Sequence, residues 1–281
     1  MTHVKFLESA GARVVPVDFS QDPEKLTRQL EHLNGLYIPG DSKSLVTSDN
    51  FQFTKAVQKV LTWAQRHNDK EAQHFPIMGV GYGFLAMVKS QMEDDSYLSD
   101  FDARGKLQLN LAHDPKHTYI FDEYSKDELE STLDKIKFFS DLELGLSMED
   151  MILEHKILSN IFMPVCSFDD STMESQNKEY VAALEGIIYP WFGVGYRADR
   201  IQYSMESTKR DLVDHSREAI MHAQGLANLF VDEARLSGNE FPYVSHEANA
   251  LQLLGDNDAH LASVPLVQSL DYTIRTELYL F

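Results

Sequence analysis

The sequence holds a single cysteine, Cys166, in 281 residues. A lone thiol excludes an internal disulfide, a cysteine-built zinc site and an iron–sulfur cluster within the chain. It follows Val165 in an apolar, strand-like run, which reads as a buried, inert thiol rather than a nucleophile. Positive charge is scarce as well: 25 Lys and Arg stand against 44 Asp and Glu, a formal charge of −19. That field repels phosphate backbones and anionic headgroups, so nucleic acid and membrane surfaces are not expected as general partners. Long apolar runs are also missing. The stretch from Gly186 to Gly195 is far shorter than the roughly 18 residues a spanning helix needs, and no basic-then-apolar leader opens the sequence. We expect a soluble protein without direct membrane insertion, in a cytoplasmic or organelle-matrix compartment rather than secreted.

What is present is enough apolar surface for a full core: 43% hydrophobic residues, including 16 Phe and 12 Tyr. Global disorder is thereby excluded, and the length suits one large α/β domain over residues 1–281. The first 90 residues alternate helical and strand patterns, the signature of a parallel sheet covered by helices. Thr2 to Ala10 reads as a helix stopped at Gly11, and Val14-Val15 as a strand. Ser20 is placed to cap a helix with Pro23 in its first turn and Leu26, Leu30 and Leu33 on one face. Leu36 to Ile38 is the next strand, closed by Pro39-Gly40. Phe53, Ala56, Val57, Val60, Leu61 and Ala64 have helical spacing, and a strand from Phe75 to Val80 runs into a glycine-rich turn and a helix at Leu85 to Lys89. Ser125 with Glu128 forms a capping box, and a further helix is expected near Ser147. Ile161 to Cys166, Tyr180 to Leu184 and Trp191 to Tyr196 read as strands. A long helix from Ser216 to about Gly238 follows, then a loop-rich stretch over 239–271 and a terminal strand at Tyr272 to Phe281 seeking a sheet edge.

Few residues advertise chemistry. Gly79-Val80-Gly81-Tyr82-Gly83 lies between strand and helix, where amides can cradle a phosphate, but Phe84 stands where a dinucleotide fingerprint wants its third glycine. The turn therefore reads as glycines serving backbone geometry. His113 and His117 have i, i+4 spacing, yet Pro115 breaks the helix that would aim both rings at one metal. His215 and His222 lack a ligand partner pattern and read as surface or capping residues. No metal and no cofactor are expected.

Several ordered blocks resemble the γ-glutamyl hydrolases, a branch of the class I glutamine-amidotransferase-like proteins. Val4-Lys5-Phe6-Leu7-Glu8-Ser9-Ala10-Gly11-Ala12-Arg13-Val14-Val15-Pro16 resembles that family's first helix and second strand. Leu36-Tyr37-Ile38-Pro39-Gly40 resembles its strand ending in Pro-Gly-Gly, and Phe75-Pro76-Ile77-Met78-Gly79 the strand leading to the nucleophile elbow. Tyr189-Pro190-Trp191-Phe192-Gly193-Val194 resembles the strand carrying the catalytic histidine. His215-Ser216, Ala223-Gln224 and Glu233-Ala234-Arg235 resemble the long C-terminal helix. The resemblance implies a flavodoxin-like three-layer sandwich with a mostly parallel central sheet. It also implies that the family's first, interior strand is missing here, so that either the sequence is incomplete or another segment or another chain is expected to fill the slot.

The resemblance breaks where the chemistry sits. The family's Thr-Cys-Leu-Gly-Phe-Glu corresponds to Val80-Gly81-Tyr82-Gly83-Phe84-Leu85, so the nucleophile position holds Gly81. Arg197 stands at the position of the general base, and Asp199 preserves only the carboxylate. Amide cleavage by this route needs a thiolate and a histidine that shuttles its proton. Glycine has nothing to attack with, and arginine stays protonated. In the oxyanion region, formed by Gly40, Asp41 and Tyr82, Asp41 replaces a glycine and its charge opposes a developing oxyanion. Arg197 and Asp199, taken as i, i+2 on a strand, are expected to pair and fill the pocket. The reading is a catalytically inactive relative that works with other protein subunits in a structural or accessory role, with a homodimer implied by family analogy. The rivals are a folate poly-γ-glutamate hydrolase using Cys166, and a glutamate-like ligand-binding module with Arg197 as carboxylate clamp.

Overall fold

The computed structural model describes residues 2–47, 51–70, 73–92, 98–101, 105–112, 114, 117–121, 125–154, 156–169, 178–204, 212–240 and 278–280. Its N-terminal half follows local signals closely. Helix α1 (Thr2–Glu8) ends on Gly11 at φ +90°, and the amides of Ala10, Gly11 and Ala12 close the turn onto Leu7 and Glu8 carbonyls. Strand β1 (Val15–Val17) leads to α2 (Pro23–Leu30), whose cap is Asp22 rather than Ser20. The Asp22 carboxylate accepts the Glu24 N–H at 2.9 Å, while the Ser20 hydroxyl donates to Asp18 at 2.6 Å. Asp22 stands immediately before Pro23, so it alone can reach the first free amides. Leu26, Leu30 and Leu33 are buried as their spacing requires.

Strand β2 (Leu36–Ile38) is fully buried and is followed by a short 3-10 turn at Lys43–Leu45 and the long helix α3 (Phe51–Asn68). Strand β3 (Ile77–Val80) then runs straight into α4 (Tyr82–Ser90), which starts three residues earlier than the sequence pattern implies. Short strands β4 (Leu98–Asp100) and β5 (Gly105–Leu111) precede α5 (Lys126–Leu133), where the Ser125 carbonyl accepts the Leu129 N–H. Strands β6 (Phe138–Ser140) and β7 (Leu144–Leu146), a π-helical turn at Asp150–Glu154 and helix α6 (Lys156–Ile161) fill the middle of the chain. Strands β8 (Phe162–Asp169), β9 (Tyr180–Gly186) and β10 (Trp191–Val194) come next, then α7 (Ala198–Tyr203), α8 (Arg217–Arg235) and, much later, β11 (Leu278–Leu280).

Among the described residues nine strands form one sheet in the order β1-β11-β2-β3-β10-β9-β8-β5-β6, and β4 pairs with β7 separately. β2, β3 and β10 are parallel, and β1 shares their sense because β11 runs antiparallel to both β1 and β2. From β10 outward the ladders are antiparallel. The expected parallel sheet is thus one half of a mixed one. Helices α1, α7 and α8 pack on one another and α3 packs on both α2 and α4, giving helices on both faces of a mixed α/β sheet. Tyr37 of β2 meets Phe230 of α8 on one face, while Gly79 and Gly193 leave room for Met87 and Phe84 of α4 on the other.

The terminal strand departs from expectation. It does not dock on an edge: Leu278–Leu280 lies inside the sheet, so no open slot remains between β1 and β2. β1, with Pro16 unable to donate, is the outermost strand on that side. Most of the loop-rich reading of 239–271 falls outside the described residues, as does His113. Among the described residues no helix is long and apolar enough to cross a membrane.

Candidate functional site

The parallel strands end together at the turn between β3 and α4. Gly81 sits there at φ +61°, ψ −126°, with its amide donating to the Val194 carbonyl at 2.9 Å. L-residues rarely adopt such dihedrals. A Cβ on Gly81 would also lie 2.8 Å from the Gly40 carbonyl oxygen and 3.2 Å from Arg197 Cδ. The sharp strand-to-helix elbow is therefore retained, but its apex is bare. The next amide, Tyr82 N–H, donates to the Gly40 carbonyl at 3.2 Å, so the loop's own backbone occupies a donor that would otherwise face a ligand. Two successive amides of the turn are thus engaged within the chain. The Tyr82 hydroxyl accepts the Glu143 N–H at 2.9 Å and secures the loop after β6.

Arg197 fills the space beside Gly81. Its amide donates to the Phe139 carbonyl at 2.7 Å, and its side chain is only 1% exposed. Nε and Nη2 donate to the two oxygens of Asp199 at 2.9 and 3.0 Å and Nη1 to Asp141 at 2.8 Å, while Nη2 forms an ion pair with Asp41 at 2.6 Å. Arg200 stands 3.5 Å from Asp141 and 3.6 Å from Asp41, with its guanidinium over the Phe139 ring. From α1, the Thr2 hydroxyl donates to Asp199 at 2.5 Å, and the His3 ring lies 2.8 Å from the Tyr37 hydroxyl and 3.2 Å from Arg197 Nη2. The cluster thus ties α1, the β2 loop, the β6 loop and α7 together.

Its electrostatics follow from burial and pairing. Burial pushes the Asp199 carboxyl up, but Arg197, His3 and the Thr2 hydroxyl outweigh it and hold the group well below the usual carboxylate range. Asp41 behaves alike: burial raises it, whereas His3, Arg197 and Arg200 pull it far down. Asp41 is nonetheless 60% exposed and forms the solvent side of the cluster, so its share of the stabilisation is screened. Burial disfavours the Arg197 cation, yet Asp199, Asp141 and Asp41 keep it charged at any working pH.

The six residues that the family resemblance singles out, Gly40, Asp41, Gly81, Tyr82, Arg197 and Asp199, meet here. The Arg197–Asp199 pair forms, though not on a strand. β10 ends at Val194, Arg197 precedes α7 with non-helical dihedrals, and Asp199 lies in the first helical turn. Thr2, His3, Asp141 and Arg200 escaped sequence reasoning because nothing local marks them; only the fold brings them to Arg197. The carboxylates on Arg197 belong to the chain itself, which leaves no free fork for a glutamate-like anion.

Cys166 does not belong to this site. It is buried on β8 opposite Ala183 and Leu111, and β10 and β9 separate that strand from β3, a gap of about 14 Å at ordinary strand spacing. Burial and the nearby Glu185 charge push its thiol far up, so a thiolate is disfavoured. His222 is not at the surface. It is buried among Phe121, Phe138 and Tyr196, whose hydroxyl is 2.9 Å from Nε2, and burial lowers it to about 4. The His215 ring lies 2.6 Å from the Ile201 carbonyl, just before the Ser216 cap of α8, and His117 is exposed. Among the described residues no group of three His, Cys, Asp or Glu side chains is arranged for a metal ion.

No family model matches the chain. Among curated proteins it is similar to gamma-glutamyl hydrolase B of Dictyostelium discoideum, 27% identical over 241 residues, covering 85% of this chain and 67% of that protein. It is similar also to the gamma-glutamyl hydrolases of Bos taurus and Homo sapiens, at 28% and 27% identity, each covering 89% of this chain and 75% of the relative. A solved structure described as a GMP synthase component from Thermoplasma acidophilum matches at 13% identity and a TM-score of 0.40, covering 74% of this chain and 80% of that one.

Proposed function

We propose that this γ-glutamyl-hydrolase-like chain has lost amide cleavage and serves as a structural or accessory subunit of a larger protein assembly. The observation that carries the reading is the buried Arg197 guanidinium, which lies against Gly81 and is matched to the chain's own carboxylates. Cleavage through the family's chemistry requires a nucleophile, a group that alternately takes and returns a proton, and donors aimed at the oxyanion. At the matching positions Gly81 offers no nucleophile, Arg197 cannot take a proton, and the Tyr82 N–H is engaged by Gly40. What the site retains is cohesion, because it joins four chain segments through ion pairs and hydrogen bonds. Such a core suits a rigid scaffold that offers its outer surfaces to others.

Purified chain incubated with a poly-γ-glutamyl folate is expected to release no glutamate above a buffer blank. Release that disappears in Cys166→Ser would overturn the inactive reading in favour of the hydrolase rival. Glutamate is expected to leave the thermal midpoint unchanged; a shift abolished in Arg197→Ala would favour the ligand-binding rival. Co-purification with other chains at a fixed stoichiometry is the expected sign of the accessory role, and a monomer that recovers no companion chain counts against it.

A further inference from the structure

The opposite end of the same strands is built differently. A cavity of about 380 Å³ opens there, beside the turn between β9 and β10. Its rim carries apolar side chains open to solvent: Ile188 is 76% exposed, Leu236 65%, Tyr119 60% and Ile187 53%. Singly exposed apolar residues are ordinary, but four around one cavity mouth form a contiguous patch of the kind that marks an interaction surface. Two acids, Asp69 and Glu233, also line it, and the described lining residues include no Lys or Arg.

This end is preorganised. The Tyr189 hydroxyl donates to Asp69 Oδ1 at 2.9 Å, the His74 ring sits 2.7 Å from Glu233 Oε2, and the Ile187 amide is anchored on the Ile161 carbonyl at 2.9 Å. These contacts hold both carboxylates and the apolar turn in place, so little ordering remains for a ligand to impose. A carboxylate has about four acceptor sites, so each acid retains capacity beyond the bond it already makes.

We propose that this cavity binds a segment of another protein in which Lys or Arg adjoins a bulky aliphatic side chain. The aliphatic group would sit against Ile187, Ile188 and Leu236, and the cation would reach Asp69 and Glu233. Charge complementarity favours this occupant over a second copy, since each copy carries a formal −19. The proposal deepens the accessory-subunit reading by naming its docking surface. Its test reads binding alone, so its failure is distinguishable from glutamate release at the elbow.

The test titrates the isotope-labelled full chain with N-acetyl tripeptide amides Leu-Lys-Leu, Leu-Arg-Leu and Leu-Glu-Leu, following backbone amide NMR shifts. The two basic peptides are expected to move the amides of residues 187–189, 191 and 192 saturably, with the acidic peptide at least about tenfold weaker. Asp69→Asn combined with Glu233→Gln should weaken the basic peptides by about fivefold, as should added salt, and Ile188→Ser should weaken all three. The proposal is overturned by silence at about 10 mM peptide, a range where even weak sites respond. An equal response to the acidic and basic peptides would overturn it too, as would a sedimenting dimer dissolved by Ile188→Ser, which makes the second copy the occupant.

Discussion

Around Arg197, three carboxylates and two guanidinium groups are matched to one another inside the protein, whereas at the far end of the same strands Asp69 and Glu233 meet a tyrosine hydroxyl and a histidine ring. The first arrangement turns its charges inward and leaves one acid, Asp41, facing water. The second leaves apolar side chains and acids together at a cavity mouth. One site turns its charged groups to cohesion within the chain, while the other keeps features that a partner could read. Stability should therefore depend on the first, and association on the second.

The strongest way to break this contrast is Arg197→Met. It leaves Asp199 buried without its counterion, and urea unfolding should show a loss of about 3–5 kcal/mol. Adding Asp199→Leu should recover much of that loss, because the uncompensated charge, not the missing attraction, causes most of it. An unchanged midpoint in the single variant would mean that the cluster does not hold the fold.

Next comes pH. His222 lies at about 4 in the folded chain against an ordinary 6.5, so the unfolded chain binds more protons between those values. Its contribution is whole above pH 6.5 and falls as pH drops to about 4, by about 3 kcal/mol in total. His222→Gln should flatten the stability profile across that window. Asp199, held low by its partners, loses its contribution only in stronger acid, below the ordinary carboxylate value of 3.8. Two separate acid limbs are therefore expected in a stability titration.

Gly81→Ala should cost about 1–3 kcal/mol, because the left-handed apex would gain a Cβ pressed on the Gly40 carbonyl. The smallest effect belongs to the open end. Ile188→Ser is exposed and should change stability by less than about 0.5 kcal/mol, while still weakening peptide binding. A large stability loss there would erase the contrast between the two ends.

The sequence was most legible where structure is locally determined. The spacing of Leu26, Leu30 and Leu33 marked α2, and the long run opened by the Ser216 cap marked α8. The cap of α2 was misplaced by two residues because Ser20 and Asp22 are both competent cap types, and only the position of Pro23 separates them. Three-residue strands such as β6 and β7 carry too few alternations to betray themselves. Gly81, Arg197 and Asp199 stood out as departures from a family pattern, yet their geometry did not. A reading that kept Arg197 on a strand could not foresee the turn into α7. His3 and Asp141 arrive from distant segments, which no local pattern records.

The position of β11 has a temporal consequence. β1 and β2 leave the ribosome well before the segment that hydrogen-bonds between them, which is encoded far downstream. At translation rates of about 5–20 residues per second, the gap stands open on the order of 10–50 s. Throughout that interval two neighbouring backbone edges on the nascent chain invite chaperone capture or pairing with the wrong strand.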